Sequence, residues 1–138
     1  MRLWHYKLIP VLPNAMLVSQ WRECIAIKRQ WEKGTLKHRL VSYVKEYFPR
    51  VFLEYVDLIV KEMKKRNIKY NDKYFYEIQA FCFIPLNVRS NYRYKEHNNK
   101  YLKQCYYNLQ EKYDRGIMTR EEWEKIMLLY SVSKEDMK

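Results

Sequence analysis

The sequence predicts an all-α fold: a single compact domain of three to four helices, spanning 1–138, with an N-terminal arm crossing the bundle. Three observations lead there. Only 2 Gly and 4 Pro occur among 138 residues, whereas sheet proteins need many turns, and turns are rich in both. Apolar residues recur at helical spacing in several segments. Start and stop signals for helices fall at the ends of those segments.

Residues 1–12 read as an irregular arm ending at Pro10-Val11-Leu12-Pro13. Asn14 after that proline suits a helix N-cap. A helix then runs to about Glu32, with Leu17, Val18, Trp21, Cys24 and Ile25 as its apolar face, and Gly34 stops it. Leu40, Val41, Val44 and Phe48 have helical spacing up to Pro49, which breaks or restarts the helix. From Phe52 the stripe Phe52, Val56, Ile59, Val60, Met63 is that of a core-facing helix. Lys64, Lys65 and Arg66 suit its C-terminus, and Asn67 suits a left-handed cap. Residues 69–95 read as a long surface segment with one short helix near Tyr74 to Phe81. His97 to Tyr113 reads as a helix ended by Gly116. Thr119 and Glu122 form a capping box for a last helix carrying Trp123, Ile126, Met127 and Tyr130, with a frayed polar tail from Ser131.

Composition narrows the function classes. With 27 Lys+Arg against 16 Asp+Glu, the net charge is +11. Such a field attracts polyanions, nucleic acid first and anionic membrane surfaces second. Mean hydropathy is −0.66, and no apolar run reaches the roughly 18 residues of a membrane helix. The N-terminus lacks a basic segment followed by an apolar stretch, so a cytoplasmic protein is expected. Cys24, Cys82 and Cys105 are odd in number and contain no CxxC pair, which suits buried reduced thiols. His5, His38 and His97 lie far apart without cysteines at ligand spacing, so no metal and no cofactor are expected. Gly-rich phosphate loops, GxSxG and HExxH are absent from the sequence.

One helix face carries chemistry. Ser19, Arg22, Glu23, Ala26, Arg29 and Gln30 are related by steps of three, four and seven, on the side away from Val18, Trp21 and Ile25. A lone carboxylate among arginines can stabilise positive charge on a sugar or move a proton. The same pattern also describes an ordinary solvated face, and periodicity alone leaves both readings open.

The stretch Leu8 to Glu23, LIPVLPNAMLVSQWRE, resembles the pyrimidine-dimer DNA glycosylases of the phage endonuclease V type. Trp21-Arg22-Glu23 fills that family's aromatic-Arg-Glu triplet, and Met1-Arg2-Leu3 is similar to its start. Ile84-Pro85, Arg89, Tyr92 and His97 follow the family's order later in the chain, and Lys65-Arg66-Asn67 corresponds in between. The resemblance covers residues 1 to about 112.

The resemblance implies an all-helical DNA repair enzyme. It would cut the glycosidic bond of a damaged pyrimidine and nick the backbone through a Schiff base on the N-terminal amine. Met1 then supplies the amine, and Glu23 stabilises the cationic sugar and assists proton transfer. Arg2 and Arg22 fall on the family's phosphate-binding arginines, and Arg29 and Arg89 extend the DNA-binding set. An α-amine suits this role because its ordinary pKa is about 7.7–8.0, against about 10.4 for lysine. Two departures stand out. The bulky Arg2 follows Met1 where the family exposes a small residue, and the C-terminus is acidic where dimer-specific members are aromatic and basic. The expected partner is double-stranded damaged DNA, bound by a monomer with no membrane involvement. Lys7 is the rival nucleophile. The alternative function is a non-catalytic basic helical nucleic-acid-binding domain that keeps the fold without the lyase. A basic helical protein–protein adaptor is a further alternative.

Overall fold

The computed structural model describes residues 1–82 and 93–136. Five α-helices account for most of them: α1 (Asn14–Lys33), α2 (Pro49–Lys65), α3 (Asp72–Phe81), α4 (Asn99–Asp114) and α5 (Arg120–Asp136). Two 3-10 segments, Tyr6–Val11 and Ser42–Glu46, complete the order, with no strand among the described residues. The all-α class stands, and the helix number exceeds the expected three to four. No described helix is long and apolar enough to cross a membrane.

The chain divides into two units. The first comprises Met1–Leu3 and Leu17–Tyr94, the second Trp4–Met16 and Lys95–Lys138.

In the first unit, α2 packs against the Ser42–Glu46 segment and α3. Its inward stripe is Val51, Phe52, Tyr55, Val56, Ile59, Val60 and Met63, all buried; it contains the five residues the sequence marked and adds Val51 and Tyr55. Trp31 of α1 meets Phe52 and Phe81 edge-on at 6.1 and 5.4 Å, and Trp21 meets Tyr70 at 5.5 Å. Such edge-to-face contacts add to simple burial. The expected helix over Leu40 to Phe48 is replaced by the short 3-10 segment. Val41 and Val44 are buried, but Leu40 and Phe48 are exposed. Pro49 occupies the first turn of α2, where its missing N–H would have had no partner anyway. α3 begins two residues earlier than its aromatic pattern suggested, because the Asn71 side chain caps it by accepting from the Lys73 N–H. Cys24 and Cys82 are buried, and burial pushes the Cys82 thiol up to about 12.

Three helices stop the same way. Gly34, Asn67 and Gly116 have positive φ, at 73°, 59° and 80°. In each case the next residue's N–H reaches back to a carbonyl five positions earlier: Thr35 to Gln30, Ile68 to Met63, Ile117 to Lys112. These left-handed stops satisfy carbonyls that the helix leaves open.

In the second unit, α5 packs against both α4 and the Tyr6–Val11 segment. That segment corrects the expectation of an irregular arm. The His5 side chain caps it by accepting from the Lys7 N–H at 3.1 Å, and Leu8 and Ile9 are buried. α4 starts after its Asn98 cap rather than at His97, and Asn98 accepts from the Tyr101 N–H at 2.9 Å. The capping box before α5 forms in both directions: Glu122 N–H donates to Thr119 Oγ1, and Thr119 N–H donates to a Glu122 carboxylate oxygen. α5 then runs past Ser131 to Asp136, and Ser133 is buried, so the tail there is helix rather than frayed chain. Tyr113, Trp123, Tyr106 and Tyr130 form a face-to-face ring stack along α4 and α5, with interplanar angles of 12°, 24° and 8°.

His5 is buried beside His97, Tyr6 and Tyr101. Burial, reinforced by the Lys7 charge, lowers its pKa from 6.5 to about 4, against partial opposition from the His97 and Asn98 backbone. The unfolded chain therefore binds a proton there that the folded chain refuses. The stability is fully present above about pH 6.5 and is lost as pH falls toward about 4, by roughly 2–3 kcal/mol. Thermal melts should show the midpoint falling across that window. His5→Asn keeps a side-chain acceptor for the Lys7 N–H and removes the titration. Its midpoint should be lower at neutral pH but flatter with acid, and an unchanged acid slope would contradict the assignment.

Candidate active site

The site is built on α1, within the first unit. The helix buries Leu17, Gln20, Trp21, Cys24, Ile27 and Lys28. This arc is rotated from the one the apolar residues suggested, because Val18 and Ile25 are only half-buried while Gln20 and Lys28 point inward. Lys28 is tolerated because its Nζ meets Glu32 at 2.7 Å. Ser19, Arg22 and Arg29 are exposed, while Glu23, Ala26 and Gln30 are half-buried. The polar face expected from the spacing is therefore present, with Glu23 on its margin next to Gln20.

Gln20 organises that margin. It is 1% exposed, and its amide nitrogen donates to the Arg2 carbonyl at 2.9 Å and to Glu23 Oε2 at 3.0 Å. Its oxygen accepts from the Tyr55 hydroxyl at 3.1 Å. Two acceptors converge on one nitrogen, which fixes the orientation of the amide. The Arg2 backbone carbonyl is thereby held one side chain away from the Glu23 carboxylate. Leu3 is fully buried, which anchors the same stretch from its other side. Among the described residues, Glu23 Oε1 has no hydrogen-bond partner. Neither Glu23 nor Arg22 belongs to an ion pair among them.

A shallow groove of about 400 Å³ adjoins this margin, lined by Arg22, Ile25, Ala26, Arg29, Gln30 and Tyr74. The small Ala26 leaves room at its floor. The Arg29 guanidinium lies over the Tyr74 ring, 5.3 Å from its centre, an attraction between a cation and the electron-rich face of the ring. Arginine at both ends and an aromatic wall suit a phosphate-linked, base-bearing strand.

Six of the other acids are consumed locally. Glu32, Glu54, Asp57, Glu62, Glu111 and Glu124 each pair with a base four residues away on the same helix. Glu23 differs from them in bonding to a buried amide. Among the described residues no three His, Cys, Asp or Glu gather where they could hold a metal.

Of the residues named from sequence, Arg2, Arg22, Glu23 and Arg29 fall on or beside this surface, with Arg2 entering through its backbone carbonyl. Met1 is the residue preceding that carbonyl and is half-buried. Arg89, with Ile84, Pro85 and Tyr92, lies outside the described residues. Gln20, Tyr55 and Tyr74 were missed. Gln20 immediately precedes the triplet, about one turn before Glu23, at a core-facing position, and that was the available signal: a polar side chain in a buried arc needs partners. Tyr55 has its ring in the core, and its hydroxyl reaches Gln20.

A family model described as pyrimidine dimer DNA glycosylase matches residues 1–76, more than half of the 138-residue chain. No curated protein and no solved structure matches the chain. The matched stretch contains the N-terminal residues, Gln20, Arg22, Glu23, Arg29, Tyr55 and Tyr74, and the chain belongs to the pyrimidine dimer DNA glycosylase family.

Proposed function

We propose that this member of a DNA glycosylase family cuts the glycosidic bond of damaged pyrimidines and then nicks the backbone, using the Met1 α-amine and Glu23. The observation that carries the reading is the Gln20 bridge, which ties the Arg2 carbonyl and the Glu23 carboxylate to one buried amide. The amine attacks the anomeric carbon, and the bond to the base breaks, the base leaving with a proton. Ring opening gives a cationic Schiff base. Loss of a proton from the neighbouring sugar carbon expels the 3′ phosphate, and water then releases the enzyme. Glu23 is the anion that stabilises that cation and takes the proton. Arg2, Arg22, Arg29 and Arg89 hold phosphates of double-stranded damaged DNA, and the groove at Tyr74 takes one strand. The enzyme acts as a monomer, as one functional domain over 1–138, through its own side chains.

Glu23→Gln preserves shape and removes charge. It should bind dimer-containing or abasic duplex within about twofold of wild type and nick it at least about 100-fold more slowly. Nicking at the wild-type rate would sink the mechanism. Loss of both binding and nicking would show a structural carboxylate instead.

DNA affinity should fall steeply with salt, each phosphate contact adding about 0.9 to the log–log slope. Arg29→Ala should lower that slope by about one contact's worth and weaken binding to all sequences alike. A slope unchanged in the variant would remove the groove from the DNA path, and a flat dependence in wild type would favour a protein-binding adaptor.

A further inference from the structure

We propose that Gln20, locked by Tyr55, is a positioning residue that sets the separation between the N-terminal segment and the Glu23 carboxylate. The proposal rests on Met1 and Glu23 being the active pair. A buried primary amide is an expensive occupant of a helix's inward face, where leucine or methionine would pack without needing partners. Gln20 is retained there with both kinds of polar atom engaged. Its two donors go to groups of the site, the Arg2 carbonyl and Glu23 Oε2, and its acceptor goes to a tyrosine hydroxyl from α2.

Geometry makes the arrangement selective. The Arg2 carbonyl belongs to the backbone one peptide from the amine, so fixing it restricts where the amine can travel. The bond to Glu23 engages one carboxylate oxygen and leaves Oε1 without a protein partner among the described residues. One oxygen of the carboxylate is thus held by Gln20, and the proposal assigns the other to the reacting sugar. Tyr55 is fully buried, and its ring is fixed among the α2 core residues. Its hydroxyl keeps the amide from rotating about its last bond. The helix, the N-terminal strand of chain and α2 thereby share a single fixed point.

Gln20→Met retains length and volume and removes both donors, while Tyr55→Phe removes only the hydroxyl and leaves the core ring. Single-turnover nicking of abasic duplex, with enzyme in excess, separates chemistry from binding. Gln20→Met should lower the rate about 10- to 100-fold, in line with a misplaced reacting group. Tyr55→Phe should lower it about 3- to 10-fold, the size of one lost hydrogen bond. The Kd for the same duplex should stay within about twofold in both. Wild-type rates in both variants would overturn the positioning role while leaving the active pair intact. Equal losses in rate and in Kd would overturn it in favour of plain structural support. If Gln20→Met does not fold, Tyr55→Phe carries the same test. Glu23→Gln run alongside shows whether the active pair itself holds: if it nicks as wild type does, the reading beneath the proposal fails with it.

Discussion

The buried amide of Gln20 is the constraint that ties together the N-terminal backbone, Glu23 and α2 in the first unit. Removing an amide from water is unfavourable by a few kcal/mol unless its hydrogen bonds are replaced. Here they are replaced by three groups from three parts of the chain: the N-terminal backbone, the next turn of α1 and the core of α2. The same bonds that offset burial also specify where Glu23 points and where residues 1–3 run. Stability and site geometry are therefore coupled, and a change that loosens the amide should disturb chemistry before it disturbs the fold.

The distribution of charge follows a similar economy of position. The acidic side chains that pair within their own helices neutralise nearby bases and keep those helices locally balanced. Arg22 and Arg29 stay exposed on the face of α1, one unpaired among the described residues and one resting on Tyr74. In a chain of net charge +11, this short stretch of helix presents arginines and a carboxylate on one polar face. Under the proposed function, an anionic strand drawn to the arginines would arrive beside Glu23.

Much of this was legible in the sequence where a single local rule decides the outcome. The left-handed stops at Gly34, Asn67 and Gly116, the Thr119–Glu122 box and the α2 stripe each rest on backbone chemistry that few residues can supply. The polar face holding Arg22 and Glu23 was legible for the same reason, since its spacing is fixed by the helix. What was not legible depended on tertiary partners. The buried arc of α1 turns toward Gln20 and Lys28, and no hydrophobicity pattern assigns polar residues to a core without knowing that Tyr55 and Glu32 will meet them. The segment at residues 40–48 had apolar residues at helical spacing, yet Phe48 is 70% exposed, because Pro49 starts a new helix and leaves its predecessor outside. Tyr74 looked like one aromatic among many until Arg29 was found over its ring.

The central claim is that the nucleophile is the amine at the head of the chain. Borohydride reduction during reaction with abasic duplex converts the Schiff base into a stable adduct, and peptide mapping locates it. The account predicts one adduct, on the α-nitrogen of Met1, formed by wild type and lost when that nitrogen is acetylated. An adduct on Lys7, or no adduct from an enzyme that still nicks abasic DNA, would contradict it.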